Sequence, residues 1–236
     1  MPGSLKRLRC PGRGVLAAGA AVILAAGGAL AAGGPVAASA RPSAPRGFIV
    51  VANIEADSVT EYAKNASGNS SPIATIAGSH TGVSYPAGVA VDSPGHLFVT
   101  NFSANSVTEY KENASGDSSP IATIAGSSTG LSGPDGVAVN SSGHLFVANN
   151  GTNSVTEYKE NTNGNTSPIA VIAGRRTGLS EPSGVAVDSS GHLFVANTAN
   201  SVTEYKKNAS GDSSPTATIK GSRTGLDGPD GIAVAG

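Results

Sequence analysis

An all-β chain made of four repeats of one four-stranded unit is what the sequence predicts, and three observations predict it. Ser-Val-Thr-Glu-Tyr recurs, ending at Tyr62, Tyr110, Tyr158 and Tyr205, with spacings of 48, 48 and 47 residues. Gly-His-Leu-Phe-Val recurs from Gly95, Gly143 and Gly191, again 48 residues apart. Between these anchors run short β-branched stretches punctuated by Gly, Pro, Asn, Asp and Ser, and no window carries helical periodicity. A fixed period of this length marks repeats that stack or radiate.

Each period divides into four short strands. Strand a is Gly88 to Asp92, and Asp92-Ser-Pro-Gly95 turns it into strand b, Leu97 to Asn101. Strand c is Ser106 to Lys111. A polar loop from Asn113 to Pro120 leads to strand d, Ile121 to Ala125. Four antiparallel strands per period of roughly 40–50 residues describe a β-propeller blade. The strand sets start near residues 47, 88, 136 and 184. The first set opens at Gly47-Phe48 and lacks strand a, while Gly231-Ile-Ala-Val-Ala235 matches strand a and has nothing after it. The sequence therefore predicts that 231–235 completes the first blade and closes the ring, which removes the open sheet edges that invite aggregation.

The first 40 residues have another character. Lys6, Arg7, Arg9 and Arg13 precede an apolar run from Val15 to about Gly34, and Ala38-Ser39-Ala40 supplies a small-x-small cleavage pattern. This reads as a signal peptide over 1–40, with a secreted or extracytoplasmic propeller over 41–236 and no membrane span after cleavage. An uncleaved anchor is the competing reading, because the run approaches the roughly 20 residues that span a bilayer. There is no twin-Arg pair, which favours the general secretory route. Cys10 is the single cysteine and precedes the apolar run, so the mature chain holds no disulfide. Charged residues make up 13% of the chain and the net charge is −1, which gives no electrostatic footing for nucleic acid.

Gly136-Val-Ala-Val-Asn-Ser-Ser-Gly-His-Leu-Phe-Val-Ala-Asn149, followed by Asn153-Ser-Val-Thr-Glu-Tyr158, resembles the NHL and YVTN-type propeller repeats of exported bacterial proteins. The resemblance covers the chain from Gly47 onward. It implies a propeller and leaves the activity open, since such propellers serve as binding modules, scaffolds, lactonases and lyases. Those families usually close with six or seven blades. Four blades imply either a tight ring or a part-ring completed by association.

Residues repeated in every blade read first as parts of the blade. Glu61, Glu109, Glu157 and Glu204 lie in strand c near Lys64, Lys111, Lys159 and Lys206, as on a solvated outer strand. His96, His144 and His192 follow the a–b turn on different blades, too far apart to share one zinc. Asn53, Asn101, Asn149 and Asn197 end strand b and are expected to bond the turn that follows. Asp92, Asn140 and Asp188 begin Asx turns.

Catalysis needs unlike residues in unlike roles, and a repeat offers those only where its symmetry breaks. Two such clusters are candidates. Arg175, Arg176 and Arg223, with His80 at the equivalent place, would form a basic face for an anionic cell-surface polymer or protein, against ordinary solvated loop charge. Asp135 and Asp230 each stand in Gly-Pro-Asp-Gly before strand a, and Glu181 is near in sequence. These three carboxylates would hold Ca²⁺ at a channel mouth, against a role as turn residues. No Gly-x-Ser-x-Gly and no Cys–His pair is present. The leading expectation is a non-catalytic binding or scaffold module acting through its loop faces. A propeller enzyme of the lactonase or lyase kind, with a divalent metal at the channel mouth, and a structural cell-surface repeat protein are the alternatives.

Overall fold

The computed structural model describes residues 22–24, as backbone only, and 47–235. Four antiparallel four-stranded sheets follow one another along the chain as the blades of a β-propeller. Blade 1 holds β1 (Val22–Leu24), β2 (Phe48–Asn53), β3 (Ser58–Ala63) and β4 (Ala74–Ile76). Blade 2 holds β5 (Pro86–Val91), β6 (Leu97–Asn101), β7 (Ser106–Tyr110) and β8 (Ala122–Ala125). Blade 3 holds β9 (Pro134–Val139), β10 (Leu145–Asn149), β11 (Ser154–Tyr158) and β12 (Ala170–Ala173). Blade 4 holds β13 (Pro182–Val187), β14 (Leu193–Asn197), β15 (Ser201–Tyr205) and β16 (Ala217–Lys220). In blades 2 to 4, strand a starts two residues before its glycine, at the proline, and a register shift lies between the proline and the apolar run.

Each blade is a single sheet, so its apolar side chains are buried against a neighbouring blade. Val59 and Ile76 of blade 1 meet Val89, Leu97, Val99 and Tyr110 of blade 2. Phe98, Val107 and Ile124 of blade 2 meet Val137, Leu145, Val147 and Tyr158 of blade 3. Val155 and Ile172 of blade 3 meet Leu193, Val195 and Tyr205 of blade 4. The repeated glycine of strand a marks how closely the blades approach at the axis. A Cβ on Gly136 would collide with the carbonyl oxygen of Ser183, and one on Gly88 would lie 2.5 Å from that of Asp135.

Polar groups complete each seam. The Tyr158 hydroxyl donates to the Thr129 carbonyl at 2.5 Å and the Tyr205 hydroxyl to the Thr177 carbonyl at 2.6 Å. Tyr110 does the same to Thr81. Burial pushes the phenols of Tyr158 and Tyr205 up to about 12. The sequence predicts that Asn101, Asn149 and Asn197 bond the turn after strand b, and they do not. Each is buried, donates to the strand-c threonine, and accepts the backbone N–H of Ser84, Ser132 or Ser180 ahead of strand a.

The expected closing strand is not formed. A closed ring of four blades has four seams, and among the described residues there are three. Gly231–Ala235 lies in no strand. The segment instead continues the arc beyond blade 4: Asp230 and Ile232 pack beside Gly184, Ser183 Oγ donates to the Pro229 carbonyl at 2.9 Å, and Gly228 N–H donates to Asn200 Oδ1 at 2.6 Å. The edge of β2 is held by β1, with Val22 opposite Val51, Ile23 opposite Val50 and Leu24 opposite Ile49. That pairing lies within the segment read as a signal peptide, whose remaining residues are outside the described ones. No helix among the described residues is long and apolar enough to cross a membrane.

Candidate functional site

The antiparallel meander brings the start of strand a and the end of strand b to one end of every blade, as Pro86 opposite Asn101 shows. That end collects residues that depart from the repeat. Tyr85 and Phe102 form a tilted aromatic pair there, with centroids 6.1 Å apart and an interplanar angle of 56°. Tyr85 has φ 52°, and its N–H donates to Asp57 Oδ1 of blade 1 at 2.6 Å. Thr100, where the other blades have alanine, is buried and accepts the Gly88 N–H at 2.7 Å while donating to the Asp135 carbonyl at 2.5 Å.

At the axial rim, Asp135, Ser183 and Asp230 follow one another on successive strand-a positions. Asp135 and Asp230 come close enough for their charges to interact, along the inner rim of an arc and not across a closed four-blade ring. Burial first, and then the Asp230 charge, push the Asp135 carboxyl from 3.8 up to about 7. Burial also raises Asp230. Burial and the Asp230 charge both favour the protonated form of Asp135. Glu181 does not join them. It is exposed at φ 48°, its N–H donates to Asn153 Oδ1 at 2.5 Å, and its Oε2 accepts from Thr198 Oγ1 at 2.9 Å. Among the described residues no group of three or more His, Cys, Asp or Glu side chains is placed to hold a metal, so the expected three-carboxylate set is reduced to a pair.

The basic face is also altered. Arg176 Nε lies 3.1 Å from Asp212 Oδ2, and the Arg176 N–H donates to Asp212 Oδ1 at 2.7 Å. His80 pairs likewise with Asp117, Nδ1 to Oδ2 at 2.5 Å and N–H to Oδ1 at 2.7 Å. The hydrogen bond to Asp117 raises His80 and lowers Asp117. Ser128 and Asn165 form the neutral version, at 2.7 Å. The cationic side chains at this position thus answer a carboxylate from the following blade. Arg175 and Arg223 are the two members of the expected face without such a partner among the described residues.

The repeated glutamates find histidines, where the sequence pointed to lysines. His144 Nδ1 lies 2.7 Å from Glu157 Oε1, and His96 and His192 lie 3.2 and 3.3 Å from Glu109 and Glu204. Blade 1 has Phe48 at the histidine position, and burial there raises Glu61. Asp92, Asn140 and Asp188 make the Asx turns read from the sequence, accepting the N–H of the following histidine at 2.7, 3.0 and 2.8 Å. The repeat's polar side chains are thereby spent within blades or between them.

The NHL repeat model matches residues 131–158 and 179–201. The chain carries NHL repeats. No curated protein matches it. Among solved structures it is similar to a virginiamycin B lyase from Staphylococcus aureus, with a TM-score of 0.58 at 16% identity over 83% of this chain and 59% of that one. It is similar also to a catalytically inactive form of that lyase with quinupristin, with a TM-score of 0.52 at 15% identity over 79% of this chain and 56% of the other. This NHL-repeat chain thus spans less than two thirds of the length of those structures, and at such identity the likeness is one of fold.

Proposed function

We propose that this NHL-repeat propeller is an exported, non-catalytic binding or display module that engages its ligand through loop faces, chiefly at the end of the sheets where strand a begins. One observation carries the reading. The repeated polar residues are consumed by the scaffold, while Tyr85, Phe102, Asp135, Glu181 and Asp230, which break the repeat, gather at that one end. Export is supported by the basic, apolar and small-x-small succession of residues 1–40. N-terminal sequencing of the exported protein should find Arg41, and retention of Met1 would overturn that part.

The test of binding is association with cell-envelope material, compared for three proteins: the full chain, Asp135→Asn/Asp230→Asn/Tyr85→Ala, and Arg175→Ser/Arg223→Ser. The first variant should lose association while still unfolding in a single cooperative transition. Loss in the arginine variant together with strong salt sensitivity would move the contact to an anionic polymer on the basic face. Full retention in both would overturn the reading.

A second reading, a propeller enzyme of the lyase or lactonase kind, is favoured by Asp135. A buried carboxyl raised to about 7 beside a second carboxyl is matched to general acid–base work at neutral pH. Turnover of a cyclic ester or lactone that disappears in Asp135→Asn would establish it.

A further inference from the structure

The two ends of the blade arc carry the two halves of the seam that the interior repeats three times. At the outgoing end, Ile219 is 57% exposed, whereas its counterparts Ile76, Ile124 and Ile172 are 4%, 3% and 5% exposed. Every residue of β16 is exposed, and so is Thr224, whose counterparts Thr81, Thr129 and Thr177 are buried. At the incoming end, Ile49, Val51 and Tyr62 are half-buried. Their counterparts in the other blades, such as Leu145, Val147 and Tyr158, are buried.

The polar halves match as well. In each interior seam a glycine of the c–d loop exchanges two backbone hydrogen bonds with strand d of the preceding blade. Gly116 donates to the Thr75 carbonyl at 2.6 Å and accepts from Ala77 N–H at 3.1 Å, and Gly164 and Gly211 repeat this on blades 3 and 4. The corresponding groups are Gly68 at the incoming end and Thr218 with Lys220 at the outgoing end. The Tyr–Thr bond has its unused halves in Tyr62 and Thr224, and the Asx–backbone bond in Asn69 and Arg223. Around Gly221, Gly225 and Gly231 there is open space where the equivalent interior glycines touch the next blade.

We propose that a second copy of this chain supplies the missing half, with blade 4 of one protomer docking on blade 1 of the next, head to tail. The interface is continuous with the three seams inside the chain and uses the same donors, acceptors and apolar positions. Because unlike surfaces meet, the contact is heterologous, and it ends only when the arc closes on itself. The segment Gly231–Ala235 then pairs as a strand in the place of β1 beside β2 of the neighbour. Ile232 would stand opposite Val51, the register that Val89 and Val99 show within blade 2. Association therefore competes with the β1–β2 pairing of the full chain.

Sedimentation of the full chain and of two end-blocked variants tests this. Ile219→Asp, at an exposed site, blocks the outgoing end. Tyr62→Ser/Asn69→Lys blocks the incoming end, and Asn69→Lys alone, also at an exposed site, replaces it should the double variant not fold. The parent should grow in mass with concentration, each variant should remain a monomer at every concentration, and an equimolar mixture of the two should form a dimer. A parent that stays monomeric up to its solubility limit, variants that associate like the parent, or a mixture that does not recover the dimer would each overturn the proposal.

Discussion

The hydroxyl of Tyr158 donates to the carbonyl oxygen of Thr129 at 2.5 Å, joining the end of one blade's strand c to the loop that leaves the blade before it. Tyr158 is fully buried, so Tyr158→Phe leaves that carbonyl unpaired in an apolar seam. We expect a loss of about 1–3 kcal/mol in urea unfolding. Among the described residues no blade precedes Tyr62, so Tyr62→Phe should leave the stability of the monomer unchanged. Equal effects at the two positions would show that the bond is not what the seam depends on.

The axial glycines make a second comparison within one molecule. A methyl group on Gly136 runs into the backbone of Ser183, which cannot swing away as a side chain would. Gly136→Ala should lower the melting temperature by the equivalent of about 1–3 kcal/mol, the usual cost of overpacking. Gly231→Ala meets open space and should melt like the parent.

The strands were legible because a fixed period aligns four copies of each, and β6, β10 and β14 begin and end where the repeat placed them. Their partners across the seams were not. Tyr158 bonds a residue 29 positions away, and His80 one 37 positions away, distances that say which blade follows but not which atoms meet. Closure was misread for a related reason. Counting gave four of each strand, but whether the ends meet depends on the angle at which Val155 and Ile172 seat against Val195 and Tyr205, and no spacing encodes that angle. At the candidate site, Asp135 and Asp230 were legible as departures from symmetry. The withdrawal of Glu181 was not, because its left-handed backbone turns it toward Thr198.

Calcium offers a check on the acid pair. Two carboxylates at the rim bring hard oxygen ligands together, and a divalent cation bound to the native state alone raises its stability by mass action. Calcium should therefore raise the melting temperature of the parent and not of Asp135→Asn/Asp230→Asn. The same response in both proteins would place any calcium effect elsewhere.

The pH dependence of stability follows from the same pair with a definite sign. Below about pH 4 the Asp135 carboxyl is protonated in both the folded and the unfolded chain. From there to about 7, the unfolded chain gives up its proton while burial and the Asp230 charge make the folded chain keep it. The folded state then binds more protons than the unfolded one, so stability falls as pH rises, by at most about 1.4 kcal/mol per unit from this group. Above about 7 both states are ionised and the contribution is flat. Asp135→Asn removes the titrating proton while keeping the shape of the side chain. The variant should melt higher than the parent at pH 7.5, by the equivalent of a few kcal/mol at most, and match it near pH 4. Its melting temperature should also change less between those values. Urea or thermal melts at half-unit pH steps read both features at once. Parallel profiles for the two proteins would mean that Asp135 titrates as it does in the unfolded chain, and the raised carboxyl at the rim would have to be abandoned.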